Sequence, residues 1–238
     1  MPDTLALDSK GIEKKFGYAY AVRNVSLQVR RGEFVALFGS NGAGKTTFLK
    51  VAAGLMRPTK GSLSIEGLDI AKNPEEARRR IGFLSHNTFV YRDLSPLENL
   101  KFFCRMYGVS DSEDRLLDLL NRVGLAQRAR EPVRAFSRGL QQRVGIARAL
   151  LHDPSLILLD EPYTGLDAKA AQTLNDTLDE AARSGKTIIL TTHDIDQGLR
   201  AASRAVILDR GKVVHDGPAK DSAAREAYVR HIHGGEAR

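Results

Sequence analysis

The chain has 238 residues, 42% of them hydrophobic and 27% charged, enough for one sizeable α/β domain or a core with an inserted subdomain. No apolar run approaches the ~20 residues that cross a bilayer, Met1-Pro2-Asp3-Thr4 has neither the basic nor the apolar region of a signal peptide, and one cysteine, Cys104, excludes an internal disulfide framework and fits a reducing cytosol. The net charge of +7 is scattered, with Arg78-Arg79-Arg80 as its densest run, and no tryptophan or aromatic-basic interleaving offers a single-strand nucleic-acid platform. That surface reads as a solvated basic face, with an anionic membrane surface as the second choice and nucleic acid the third. Cys104 reads as a half-buried helix residue.

Residues 5 to 38 read as short strands and turns. Leu5-Ala6-Leu7 starts one strand, Val25-Ser26-Leu27-Gln28-Val29 alternates as another, and Arg31-Gly32-Glu33 turns into a third. Between the first two lie Phe16 and Tyr18. Either ring can stack on an adenine face, and core packing is an equally good reading. The apolar run Phe34-Val35-Ala36-Leu37-Phe38 leads into Gly39-Ser40-Asn41-Gly42-Ala43-Gly44-Lys45-Thr46-Thr47, and a helix-compatible run, Phe48 to Ala53, follows. Gly39, Gly44, Lys45 and Thr46 meet the G-x-x-x-x-G-K-[ST] pattern in the strand–turn–helix context that it needs. Glycines let successive N–H groups point into one concavity, and the helix adds its own free amides. Lys45 is expected to reach the β- and γ-phosphates of a nucleotide, and the Thr46 hydroxyl to ligate Mg²⁺.

Met56 to Gly61 is a loop, Ser62 to Glu66 alternates like an edge strand, and Asn73-Pro74-Glu75-Glu76 starts a helix. Ile81 to Leu84 is a short buried strand, followed by the polar loop Ser85-His86-Asn87-Thr88. From about 95 to 151 the periodicity is helical, opened by the capping box Ser95-Pro96-Leu97-Glu98. Leu116, Leu117, Leu119, Leu120 and Val123 form an amphipathic stripe. With no strand signal inside it, this block reads as a helical insertion in an α/β core. Leu156-Ile157-Leu158-Leu159 is a central parallel strand ending at Asp160-Glu161-Pro162. A helix from about Ala168 to Ser184, a strand Thr187 to Leu190 with His193 at its end, a final hairpin and a polar helical tail complete the chain.

Ligands of open α/β sheets bind at the carboxyl ends of the strands, where the glycine loop, Asp160-Glu161 and His193 all fall. Asp160 is placed to hold Mg²⁺ through its water shell. Glu161 can orient or deprotonate an attacking water, and His193 can touch a γ-phosphate. The plainer alternatives are an acidic pair capping a helix and a structural histidine. His231 and His233 resemble half a metal site and lack partners for a whole one.

Phe136-Ser137-Arg138-Gly139-Leu140-Gln141-Gln142-Arg143-Val144 is similar to the L-S-G-G-Q signature, with its following Q-R-V, of ATP-binding-cassette (ABC) transporters. Ser137 and Gly139 match it; Phe136, Arg138 and Leu140 depart. The motifs together resemble the ATP-binding subunit of that family over nearly the whole chain. The resemblance implies an α/β fold: a P-loop NTPase, RecA-like core with an N-terminal antiparallel β subdomain and an inserted helical subdomain. It implies one cassette over 1–238, with core and β subdomain in 1–90 and 152–220, the signature subdomain in 91–151 and a tail in 221–238. It implies ATP and Mg²⁺ as cofactors, a homodimer or heterodimer of ATPase subunits, and an integral membrane permease as partner. No nucleic acid is expected. The chain would then be cytoplasmic, peripheral on the inner face of the cell membrane through the permease. In the family, Ser137 and Gly139 would close on the ATP of the opposite subunit, Asp167 would sit in the loop that communicates across the dimer, and Phe16 or Tyr18 would stack on adenine.

His86 stands where the family has a glutamine that touches Mg²⁺ and the attacking water. Mg²⁺ prefers oxygen to imidazole nitrogen, so His86 is expected to act through water or not at all. A histidine in Leu84-Ser85-His86 resembles the haem-exporter ATP-binding subunits of cytochrome c maturation systems. Three rivals stand beside haem export: an ABC-2-type exporter ATPase for a drug, lipid or polysaccharide, a soluble ABC ATPase acting on DNA or ribosomes, and a P-loop kinase of small molecules, which the signature and the Asp160-Glu161 pair argue against.

Overall fold

A computed structural model describes residues 5–233. Readings that fall on Met1 to Thr4, on the side chain of His233 or on the end of the tail lie outside the described residues. The central sheet is built from strands that are apolar on both faces. These are β3 (Phe34–Phe38), β6 (Ile81–Leu84), β7 (Leu156–Asp160), β8 (Thr187–Thr192) and β9 (Arg204–Asp209). With β10 (Lys212–Pro218) they form a six-stranded sheet in the order β10-β9-β3-β8-β7-β6. All neighbours pair in parallel except β9 and β10, whose short turn forces an antiparallel edge.

Alternation along these strands divides the core in two. Phe34, Ala36, Phe38, Ile157, Leu159, Ile188 and Leu190 point to one face. There they pack under α3 (Pro96–Tyr107), α4 (Glu113–Arg122), α5 (Arg138–Leu150) and α6 (Ala168–Arg183). Val35, Leu37, Leu156, Leu158 and Ile189 point to the other face, against α1 (Lys45–Ala52) and a second sheet. That sheet is antiparallel, in the order β2-β1-β4-β5, from β1 (Leu5–Phe16), β2 (Ala19–Arg30), β4 (Lys60–Ile65) and β5 (Leu68–Asp69). The α/β class, with its antiparallel β subdomain and helical elements, is the one expected from the motifs.

Between β6 and β7 the described elements are helices: α3, α4, two 3-10 turns at Ala126–Arg128 and Val133–Ala135, and α5. The capping box at Ser95 is formed, with the Ser95 amide donating to Glu98 Oε2 at 2.8 Å and the Glu98 amide to Ser95 Oγ at 3.3 Å. The Ser95 amide, together with the Ser95 hydroxyl that donates to the same Oε2 at 2.7 Å, holds the Glu98 carboxyl below the usual carboxylate range. Leu116, Leu120 and Val123 carry the buried stripe of α4, while Leu117 and Leu119 are only partly covered. α2 (Pro74–Arg79) and α7 (Ile195–Ala201) are short connectors.

Three expectations need correction. β1 and β2 are twelve residues each, longer than the short strands expected. Their outer face carries Lys10, Glu13, Lys14 and Lys15, and register shifts at Ser9/Ile12 and beyond break the period-2 pattern that would reveal them. Cys104 is wholly buried, and burial raises its thiol pKa. The tail is not only polar: α8 (Ser222–Tyr228) buries Ala224 and Tyr228 before a π-helical turn at Val229–His233.

Candidate functional site

Three adjacent strands, β3, β8 and β7, end at the same edge of the sheet. Their ends carry Gly39, His193 and Asp160-Glu161. The loop from Gly39 to Gly44 connects β3 to α1 through backbone that only glycine tolerates at two points. Gly39 has φ 155°, and a Cβ on it would lie 2.5 Å from the Leu208 carbonyl. Gly44 has φ 104°, and a Cβ there would lie 2.2 Å from the Ala21 carbonyl. Lys45 starts α1 and is 6% exposed. Its Nζ donates to Gly39 O at 2.7 Å and Ser40 O at 3.2 Å and lies 3.8 Å from Glu161 Oε1. Burial lowers its pKa; the Glu161 and Asp160 charges oppose that shift.

Asp160 is buried and accepts two hydroxyls at Oδ1, from Thr46 at 2.9 Å and from Thr191 at 2.9 Å. The Thr191 Oγ1 accepts the Glu161 amide at 2.9 Å. Glu161 has φ 51°, a left-handed conformation unusual for a side chain of its size. Such strain persists where surrounding bonds enforce it. It turns the carboxylate toward Lys45 and His193, whose Nδ1 is 2.8 Å from Glu161 Oε2.

A groove of about 390 Å³ runs along this edge, lined by Phe16, Ala21, Ser40, Asn41, Gly42, Ala43, Gly44, Lys45, Thr46, Thr47 and Glu161. Phe16 thus faces the loop. Tyr18 is fully exposed in the turn after β1 and is not part of the lining. Ser137 and Gly139 are not part of it either. Ser137 caps α5, accepting the Leu140 amide at 3.4 Å, and Gly139 packs against the Gly165 carbonyl. Asp167 caps α6, accepting the Ala170 amide at 2.7 Å. His86 lies outside the groove, with Arg138 Nη2 3.3 and 3.2 Å from its two ring nitrogens. His231 lies 3.9 Å from Asp209. Among the described residues no group of three His, Cys, Asp or Glu side chains could hold a metal by itself.

Residues 22–164 match the family model described as "ABC transporter". The chain belongs to the ABC transporter family. It is 37% identical over 217 residues to "ABC transporter ATP-binding protein NatA" of Bacillus subtilis (strain 168), covering 90% of this chain and 88% of that protein. It is 38% identical over 220 residues to "Nod factor export ATP-binding protein I" of Cupriavidus pinatubonensis (strain JMP 134 / LMG 1197), covering 92% of this chain and 68% of that one. A solved structure titled "Dimeric structure of a post-hydrolysis state of the ATP-binding cassette MJ0796 bound to ADP and Pi" superposes with TM-score 0.83 at 31% identity, covering 90% of this chain and 99% of that one.

As an ABC cassette, the chain is an ATP hydrolase. Its geometry also contains residues that motif reading missed. Thr191 links Asp160 to the Glu161 backbone, but the sequence offers only two threonines before a histidine. Gln142 of the signature helix is buried and donates to Pro162 O at 3.3 Å, tying α5 to the acidic turn. Tyr228, from the far end of the chain, donates to the His193 carbonyl at 2.7 Å. No local pattern announces that contact. Among the described residues no helix is long and apolar enough to cross a membrane.

Proposed function

We propose that this cassette binds Mg-ATP in the loop groove, hydrolyses it with Glu161 as base, and drives a separate membrane permease as an exporter. The observation that carries the reading is the convergence of Lys45, Thr46, Asp160, Glu161 and His193 at the ends of three neighbouring strands. The amides from Gly39 to Thr47 and the head of α1 cradle the phosphates, and Lys45 takes the β- and γ-oxygens. Phe16, which lines the groove, stacks on adenine in preference to Tyr18. The Thr46 hydroxyl and the Asp160 carboxylate are hard oxygen donors 2.9 Å apart, a set that suits Mg²⁺. Thr46 would ligate the ion and Asp160 would hold its water shell; the bound ion neutralises phosphate charge during transfer. Glu161 takes a proton from water as its oxygen attacks the γ-phosphorus, and the bond to the ADP oxygen breaks. His193, held by Glu161, contacts the γ-phosphate.

Ser137 and Gly139 lie away from the groove of their own chain, so each chain holds half of a site. A second copy, or a homologue, closes its signature over the ATP, with Asp167 in the loop across that interface. The chain is read as one cassette, with 91–151 as its signature subdomain. The permease sits on a largely apolar groove of about 370 Å³ lined by Leu55, Phe83, Phe89, Phe103, Met106 and Arg148. That contact would hold the cassette at the inner face of the membrane. Export is supported by the name of the Nod factor relative, and an ABC-2-type cargo (a drug, lipid or polysaccharide) fits it. Haem export in cytochrome c maturation is a second reading, favoured only by His86.

Glu161→Gln tests the core of the proposal. With saturating Mg-ATP it should run as a dimer in gel filtration, while phosphate release falls at least about 100-fold. Normal turnover, or a monomer with ATP bound, would sink the reading. Purification with ribosomes or DNA and never with a permease would sink the transport role. Haem or an amphiphilic drug added to the permease complex, read by stimulated hydrolysis, separates the two cargoes.

A further inference from the structure

We propose that Tyr228, in the C-terminal helix α8, is a positioning residue for His193; this rests on the proposed role of His193 at the γ-phosphate. His193 has a side chain that is 68% exposed, with its Nδ1 on Glu161. The direction of so exposed a ring depends on the backbone that carries it. The peptide that follows it is fixed at both of its polar atoms. On its amide side, the Asp194 N–H donates to Thr192 Oγ1 at 3.0 Å. At the residue itself, the carbonyl accepts the Tyr228 hydroxyl at 2.7 Å.

Tyr228 is itself well seated. Its ring is buried and meets Phe38 edge-on, with centroids 5.9 Å apart and an interplanar angle of 81°. Phe38 is the last residue of β3, directly before Gly39. One side chain therefore packs on the strand that carries the phosphate loop and bonds to the turn that carries His193. A second tie joins the same helices, since Arg225 Nη2 lies 2.6 Å from Asp196 Oδ1 on α7. Asp221 caps α8 through the Ala223 amide at 3.2 Å. Burial, with the Asp194 and Glu161 charges adding to it, raises the phenol pKa, so the hydroxyl remains a proton donor at neutral pH and above. Tyr228 is not among the residues that line the loop groove. It acts through His193, by setting the peptide plane from which the imidazole projects.

Tyr228→Phe keeps the ring and removes only the hydroxyl. In the full chain, at saturating Mg-ATP, kcat should fall about 3- to 10-fold, the factor that one hydrogen bond supplies. KM for ATP should stay within about twofold, because the loop groove is unchanged. His193→Ala should be slow, and His193→Ala with Tyr228→Phe should be no slower than His193→Ala alone, since the tie then has nothing to orient. Tyr228→Phe at wild-type turnover, beside a slow His193→Ala, would overturn the tie and leave the histidine's role standing. So would a double variant slower by the full single-variant factor, which marks a general structural effect. Wild-type turnover in His193→Ala would overturn the histidine's role and the tie with it.

Discussion

A single hydroxyl shows how tightly the acidic corner of the site is wired. Thr191 Oγ1 donates to Asp160 and accepts from the Glu161 amide, so one atom serves both acidic residues. Valine has the same shape and no hydroxyl. Thr191→Val takes the side-chain acceptor from the Glu161 amide, which keeps Thr191 O at 3.2 Å, and strips Asp160 Oδ1 of one of its two hydroxyl donors, the other being Thr46. With a partner left to each group, the two losses together cost about 1–3 kcal/mol. The melting temperature should therefore drop by about 2–12 °C, at the roughly 2–4 °C per kcal/mol expected for a chain of this size. Hydrolysis should fall further than ATP affinity, because the loop groove keeps its lining while Glu161 loses one of the two bonds that hold its left-handed backbone. Thermal melts and phosphate release check both; a melt within 1 °C of wild type refutes the shared-hydroxyl account. At this scale the sequence was legible where chemistry follows a spacing. Lys45, Thr46, Asp160, Glu161 and His193 follow from the motif and from strand ends, and the fold brings them together. The φ of Glu161, the Thr191 bridge and Tyr228 follow no spacing. They depend on which distant backbones meet.

At the scale of elements, the phosphate loop is fastened to the hairpin of β1 and β2. The Gly211 amide donates to Ala43 O at 2.9 Å, the Arg23 amide donates to Gly211 O at 2.7 Å, and Gly44 passes against the Ala21 carbonyl. The β subdomain thus supplies a wall of the groove as well as Phe16. Gly44→Ala forces a Cβ into the Ala21 carbonyl at a left-handed φ, which costs about 1–2 kcal/mol before the clash is counted. The hairpin must move away from the loop, so ATP affinity should fall at least about tenfold, the equivalent of 1.4 kcal/mol. Titration with a fluorescent ATP analogue measures it, and affinity within twofold of wild type would show that the hairpin does not brace the loop. The parallel strands, the capped helix α3 and the amphipathic α4 were legible because a buried or half-buried face leaves a period in the residues. The twelve-residue strands β1 and β2 were not, since charges cover their outer face and bulges shift their register. Nor can a period tell that Gly44 meets Ala21, or Ala43 meets Gly211.

For the molecule as a whole, the separation of the signature from the groove of its own chain has a consequence that mixing can reveal. If two chains meet about a two-fold axis, each ATP is held by the loop of one and the signature of the other. Lys45→Ala should abolish ATP binding by its own loop. Ser137→Ala should leave binding intact and remove the closing contact from the partner's site. Each variant alone should be inactive, since every site in its dimer carries the same defect. In a mixed dimer the defects fall together. One site combines both lesions, and the other pairs an intact loop with an intact signature. An equal mixture that assembles at random should therefore regain roughly a quarter of wild-type turnover: half the dimers are mixed, and each holds one sound site of two. Phosphate release from the two variants, measured apart and then together, provides the check. Recovery means that the catalytic unit extends across two chains. A mixture no faster than its better component would mean either that Ser137 acts within its own chain or that both sites must fire together. A chain joining two copies in tandem, with both lesions in one copy, separates these outcomes. Hydrolysis from that tandem chain would place the action of Ser137 within its own chain, because the unaltered copy is then whole, and silence would leave the composite site standing, because each of its two sites then carries one lesion.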